Sequence, residues 1–198
     1  MKRLSLLALL IVMAILIAGC GKAPDAQLEQ ASKALQAAEA AGAPQYAPEA
    51  WKRAKEAADR MKAESEAQGK RFALFRNYGK VRTLAEQAAR LSEQALADAN
   101  SRKTQLRGEV SALIAELDTS LESARSQLYR VPRSKGLDVA SLRSSLNGAG
   151  RQLDQARSNL AAGALDSAMA VAAQAREGIN GVLRAIERAT GIPASKKR

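Results

Sequence analysis

The feature that most constrains the fold is a stretch of 52 residues, from Lys80 to Val131, that contains no proline. Its apolar residues recur every three or four positions, which places them on one face of an α-helix. The apolar positions on either side of the polar segment 98–105 are in phase, because Ala95 and Leu106 are separated by about three turns at ~3.6 residues per turn. The spacing predicts one helix about 75 Å long, with a kink or a break at the polar segment as the alternative.

Glycine and proline mark where shorter helices before this stretch begin and end. We expect the first helix to end at Gly42, which suits a left-handed cap, and before Pro44, which cannot continue a helix. Pro48 fits the first turn of a second helix, because its missing N–H costs nothing there. The second helix is predicted to extend to about Phe75, with Gly79 in the turn that follows.

Two more helices are predicted after the long one, at about 138–160 and 165–189. No segment alternates Val, Ile or Thr with polar residues in the manner of a strand, so we expect no sheet. The predicted fold is all-α: an elongated antiparallel bundle of about five helices, in which two helical hairpins share the long helix.

The N-terminus carries two basic residues and then thirteen consecutive apolar residues, Leu6 to Ala18. A helix of that length rises about 20 Å, which is short of the ~30 Å hydrocarbon core of a bilayer. A basic start, a short apolar run and small residues at its end are typical of a secretory signal peptide. The run closes with Ile17, Ala18, Gly19 and Cys20, which resemble the lipobox of bacterial lipoproteins.

The lipobox resemblance implies cleavage between Gly19 and Cys20 and attachment of a diacylglyceryl group to the cysteine sulfur. Two or three acyl chains together hold a protein stably at a bilayer. In such lipoproteins an aspartate after the cysteine causes retention at the inner membrane, so Gly21 implies the outer membrane and a periplasmic location. An uncleaved anchor with a chance cysteine is the alternative.

The chain is therefore predicted to begin with a signal helix that is removed. The predicted segments are a signal peptide (1–19), a lipidated tether (20–25), a first hairpin (26–100), the long-helix continuation with a second hairpin (101–190) and a basic tail (191–198).

A second resemblance rests on the segments AGAPQYAPE, residues 41–49, and NYGKVRTLAEQAARLSEQALADA, residues 77–99. They are similar to an uncharacterised family of bacterial envelope lipoproteins, which carry an AGAxxYAPE turn between Ala-rich helices. The resemblance covers about residues 24–99 and implies a helical hairpin in the cell envelope, with no known activity. Trp51 stands where the family more often has a smaller aliphatic residue.

Positive charge narrows the range of partners. Without residues 1–19 the chain has 29 Lys and Arg against 20 Asp and Glu, a net charge of +9. Export excludes nucleic acid and leaves the membrane itself, lipopolysaccharide and peptidoglycan as polyanions. The segments 51–82 and 132–198 carry most of the excess, although a merely solvated basic face is the alternative. The candidate polyanion contacts are Arg71, Arg76, Lys80 and Arg82.

Aromatic residues are also concentrated, with five of the six lying between Tyr46 and Tyr78. We expect these five, Tyr46, Trp51, Phe72, Phe75 and Tyr78, to fill the two ends of the first hairpin. An exposed aromatic anchor for a partner protein is the alternative.

Catalytic residue types are scarce, since the chain has no histidine and a single cysteine. Their scarcity excludes Ser-His-Asp and Cys-His catalysis and zinc sites of the Cys/His type. We expect a non-catalytic envelope protein with a structural or adaptor role, without a metal or cofactor. The alternatives are an accessory subunit of an efflux or secretion complex, which would need an exposed apolar patch, and an enzyme of unfamiliar type.

Overall fold

A computed structural model describes residues 23–131 and 136–191. These residues form six α-helices and one 3-10 turn and contain no strand, which confirms the prediction of an all-helical fold. The predicted signal helix, the lipidation site and most of the basic tail lie outside the described residues. The helices are α1 (Asp25–Ala40), α2 (Ala43–Tyr46), α3 (Pro48–Gly69), α4 (Gly79–Arg130), α5 (Val139–Ala161) and α6 (Leu165–Thr190).

The long helix α4 continues without interruption through the polar segment 98–105, as the in-phase spacing predicts. Ala95 is buried before this segment and Ala99 within it, and Leu106 and Val110 are buried after it. The polar side chains between them are exposed or half-buried, so no polar group has to enter the core for the helix to continue.

The chain divides between Arg102 and Lys103 into two compact units. Unit 1 contains α1, α2, α3 and the first part of α4, and its core consists almost entirely of alanine. One core cluster is formed by Ala31, Ala57, Ala58, Met61, Ala85, Ala88 and Ala89. A second is formed by Ala38, Ala43, Ala47, Ala50, Ala54, Ala95 and Ala99.

The two clusters define the helix directions within unit 1. The first cluster joins the early part of α1 to the late part of α3 and to the start of α4, whereas the second joins the end of α1 to the start of α3 and to a later part of α4. Helix α3 is therefore antiparallel to α1 and α4. The start of α1, the end of α3 and the start of α4 lie at the same end of unit 1, which we call the proximal end.

The turn between α1 and α3 contains the short helix α2, which the sequence did not predict. Gly42 has φ of +78°, a left-handed conformation, and its N–H donates to the Glu39 carbonyl at 2.8 Å. A Cβ at position 42 would lie 3.1 Å from the Tyr46 ring, so a side chain would also be crowded there. Pro44 lies in the first turn of α2 and Pro48 in the first turn of α3, where a missing N–H is tolerated.

The predicted extension of α3 to Phe75 is wrong, because the helix ends at Gly69. Residues 73–75 form a separate 3-10 turn, and the backbone at Phe72 is extended. Glycine has a low helix propensity, which favours termination at this point. The side-chain amide of Gln68 accepts a hydrogen bond from the Asn77 N–H at 2.9 Å and so holds the returning chain against the last turn of α3.

Unit 2 contains the second part of α4 together with α5 and α6. Asp138 caps α5 by accepting a hydrogen bond from the Ser141 N–H at 3.0 Å. Helices α5 and α6 approach closely where a Cβ added to Gly178 would lie 3.6 Å from the Ala149 Cβ. Helix α6 ends at Thr190 and is capped by Gly191, whose φ of +70° is left-handed.

Candidate functional site

The segment that joins α3 to α4 carries the most unusual surface of unit 1, and we call residues 70–78 the apolar loop. Its side chains Phe72, Leu74 and Phe75 are 70%, 74% and 73% exposed. The two phenyl rings lie side by side, with centroids 6.4 Å apart. The loop follows the end of α3 and precedes the start of α4, so it lies at the proximal end.

The expectation that the aromatic residues fill the hairpin ends is wrong for Phe72 and Phe75, whose side chains face solvent. Tyr46 and Trp51 do pack, half-buried, against the second alanine cluster. Tyr78 is half-buried at the end of the apolar loop. The other four aromatic residues of unit 1 separate into a packed pair at one end and an exposed pair at the proximal end.

The apolar loop is held by polar contacts beneath its exposed side chains. The buried Gln68 amide donates to Glu64 Oε1 at 2.9 Å and accepts from the Asn77 N–H. The Asn77 side chain in turn accepts from the Gly79 N–H at 3.0 Å, which satisfies a donor at the start of α4. These contacts link the last turn of α3, the loop and the first turn of α4.

The four candidate polyanion contacts have different surroundings. Arg76 is half-buried, and its guanidinium donates to the backbone carbonyls of Arg71 and Gly69 at 2.9 and 3.1 Å, so it positions the loop. Lys80 Nζ lies 2.6 Å from Glu64 Oε2 in an ion pair. The side chains of Arg71 and Arg82 are exposed.

Glu64 is the acidic partner of Lys80 at the proximal end of unit 1. The hydrogen bond from Lys80, with further help from Gln68, holds the pKa of the Glu64 carboxyl below its ordinary value of 4.5, and the positive charge of Arg71 acts in the same direction. The carboxylate is therefore ionised at neutral pH. It neutralises part of the charge of a segment, residues 70–82, that contains five basic residues and no acidic one.

The second basic zone, residues 132–198, has five of its basic residues outside the described residues. Among those described, Arg157 bridges two acids: it contacts Asp118 on α4 at 2.6 Å and Asp154 on α5 at 2.7 Å. The hydrogen bond to Asp118 raises the pKa of Arg157. This arginine joins α5 to α4 and contributes to the packing of unit 2.

Within residues 23–131 and 136–191, no group of three or more His, Cys, Asp or Glu side chains is placed to hold a metal ion. In the same part of the chain, no helix is both long and apolar enough to cross a membrane. Cys20 and Gly19, which carry the predicted lipidation and cleavage, lie outside the described residues.

Sequence reasoning missed the roles of Gln68, Glu64 and Leu74. Phe72 and Phe75 lie four and seven residues after Gln68, which is helical spacing, so periodicity by itself gives no sign that α3 ends at Gly69. The signal for a break was Gly69 followed by Lys70 and an arginine, since glycine and basic residues are common at helix C-termini.

Comparison with known proteins identifies one related domain. Residues 26–109 match the profile of a family described as a domain of unknown function, DUF4398. The match covers less than half of the chain and includes α1, α2, α3, the apolar loop and the first part of α4. It is consistent with the resemblance to an uncharacterised family. No curated protein and no solved structure matches the chain.

Proposed function

We propose that this chain is a non-catalytic, lipid-anchored protein of the bacterial cell envelope with a structural or adaptor role. The observation that carries the proposal is the lipobox at residues 17–20, which is followed almost directly by the first helix at Asp25. Five residues span about 17 Å when fully extended. A lipid on Cys20 would therefore hold unit 1 close to the membrane surface, in the periplasm.

In this proposal the proximal end provides a contact to anionic envelope polymers, lipopolysaccharide or peptidoglycan. The exposed guanidinium groups of Arg71 and Arg82 support it, and Arg76 and Lys80 have an indirect role because they already bind groups of this chain. Arginine suits such ligands because its planar donors match phosphate and carboxylate oxygens.

A second candidate function is that of an accessory subunit in an envelope efflux or secretion complex. It is favoured by one observation, the exposure of Phe72, Leu74 and Phe75 within four residues. Exposed aromatic residues are frequent energetic centres of protein interfaces. Crosslinking from position 74 in cells that make this protein naturally would capture such a subunit.

Lipidation is tested by replacing Cys20, the only cysteine. Cys20→Ser should leave the precursor uncut and unlabelled by radiolabelled palmitate, whereas Gly21→Ala, which keeps the cysteine, should be cut and labelled like the natural protein. Equal palmitate labelling of Cys20→Ser would refute lipidation at this residue.

Polyanion binding is tested with matched double charge reversals. Arg71→Glu with Arg82→Glu alters the proximal end, and Arg107→Glu with Arg130→Glu makes the same charge change at exposed positions of α4 in unit 2. We expect the first pair to reduce binding to lipopolysaccharide or peptidoglycan far more than the second. Bound natural protein should be released by about 0.5 M NaCl, where the Debye length is only about 4 Å. An equal loss of binding in both double variants would contradict a specific contact at the proximal end.

A further inference from the structure

The apolar loop exposes more apolar side-chain surface than a solvated loop requires. Four large hydrophobic side chains of the described residues are markedly exposed, and three of them, Phe72, Leu74 and Phe75, lie in this loop. The fourth, Tyr129, stands alone on α4. A cluster of exposed apolar side chains is typical of a surface that contacts a protein, a membrane or a ligand.

The outward position of these side chains is built into the fold. Arg76 and Gln68 bind the backbone beneath the loop, and the Phe75 N–H donates to the Phe72 carbonyl at 2.9 Å to close the 3-10 turn. The backbone groups of the loop are thus partly satisfied internally, which lowers the cost of moving the loop into a medium with little water. A preorganised loop also loses less conformational entropy when it binds.

The position of the loop relative to the start of α1 indicates what covers it. Asp25 precedes Ala31 of the first alanine cluster by six residues, and Gly69 follows Met61 of the same cluster by eight. At ~1.5 Å per residue, α1 extends about 9 Å and α3 about 12 Å beyond that cluster in the same direction. The apolar loop therefore reaches at least as far as the point where the chain leaves toward Cys20.

The charges around the loop complement an anionic surface. Residues 70–82 contain five basic residues and no acidic residue, and Arg71 and Arg82 are exposed. Apolar side chains flanked by cations match the interface of a bilayer, where anionic headgroups cover an apolar interior. A protein partner would have to combine the same two chemistries at the end of unit 1 where the proposed lipid anchor holds the membrane.

We infer that Phe72, Leu74 and Phe75 insert into the same bilayer that holds Cys20, at a surface of anionic phospholipid, and so form a second membrane contact. This inference rests on the proposed lipid anchor and deepens it. Attachment at a single point leaves the orientation of a protein free, whereas two contacts at one end of unit 1 restrict its tilt relative to the membrane. The proximal end then faces the lipid.

The test uses the processed full chain, reconstituted in vesicles that contain anionic phosphatidylglycerol. The only tryptophan is first removed by Trp51→Phe, and Phe72→Trp then places a reporter in the loop. Tyr129→Trp in the same background is the matched control, because Tyr129 is an aromatic residue that is 88% exposed in unit 2. Circular dichroism of both variants checks that they keep the helical content of the natural protein.

We expect the tryptophan at position 72 to shift its emission to the blue and to lose most of its fluorescence to brominated lipids. The tryptophan at position 129 should instead be quenched by acrylamide from the aqueous phase. The inference is overturned if the two reporters behave alike, or if crosslinks from position 74 reach a protein instead of lipid. Unchanged quenching after omission of phosphatidylglycerol would overturn the assignment of an anionic surface.

The two proposals fail in distinguishable ways. The mass of the N-terminal peptide from the same preparation reports whether Cys20 carries a lipid. A lipidated Cys20 with a solvent-exposed loop would overturn the second contact alone. An unmodified Cys20 would overturn the proposed anchor, whatever the quenching at position 72 shows.

Discussion

Enlarging one buried alanine of unit 1 should destabilise the protein, because its helices approach closely over alanine. Ala95 is completely buried in the second alanine cluster, and Ala97, two residues further along α4, is exposed. Ala95→Leu adds three carbon atoms at the packed position, and Ala97→Leu adds the same atoms to the solvent-facing side. The pair separates packing from helix propensity, which is nearly the same for both residue types.

The expected loss of stability in Ala95→Leu follows from the complete burial of Ala95. If the larger side chain found space, burial of three carbons would contribute about 2.4 kcal/mol, at ~0.8 kcal/mol each. Because the position is 0% exposed and its cluster neighbours belong to three helices, the helices must instead separate or the backbone must shift. Overpacking of this kind costs about 1–3 kcal/mol, whereas the exposed substitution should change stability by less than about 0.5 kcal/mol.

Urea unfolding measured by Trp51 fluorescence is the appropriate assay, because Trp51 is the only tryptophan and packs against the same cluster. The variants are compared as protein starting at Gly21, and the free energy of unfolding is obtained from the midpoint and slope. The reasoning is refuted if Ala95→Leu is as stable as Ala97→Leu, since space would then exist where close helix contact is inferred.

Two further predictions concern polar groups of unit 1. Ser92 is fully buried and its hydroxyl has no hydrogen-bond partner. Ser92→Ala should therefore raise the free energy of unfolding by about 1–3 kcal/mol. If the exposed control Ser126→Ala raises it equally, the gain comes from helix propensity and not from the buried hydroxyl. Because the pKa of Glu64 is lowered from 4.5, its pairing stabilises the fold above that pH and is lost as the pH falls through the lowered pKa. The melting temperature of Lys80→Met should therefore lie below that of the natural protein at pH 7 and equal it in acid, and a difference independent of pH would contradict this pairing.

The sequence by itself determined the helices and most of their ends. Apolar residues at helical spacing define the face of a helix that will be buried, whichever helix packs against it. The same periodicity predicted that α4 continues across its polar segment, because Ala95 and Leu106 lie on one face. Glycine and proline act through their own backbone geometry, so the turn at Gly42 and Pro48 was also accessible from local sequence. The profile match to residues 26–109 accords with the family resemblance found in the same segment.

Only the tertiary structure decided which of the candidate surface residues are exposed and which bind other groups of the chain. The sequence predicted that α3 continues to Phe75 and that Phe72 and Phe75 pack at a hairpin end. Burial requires a second surface to cover a side chain, however, and α3 ends at Gly69, leaving both rings exposed. Likewise, the charge of Lys80 is evident in the sequence, whereas its pairing with Glu64 depends on two helices meeting across the apolar loop. Periodicity is a local property of the chain, but exposure and ion pairing depend on the distances between segments that only folding brings together.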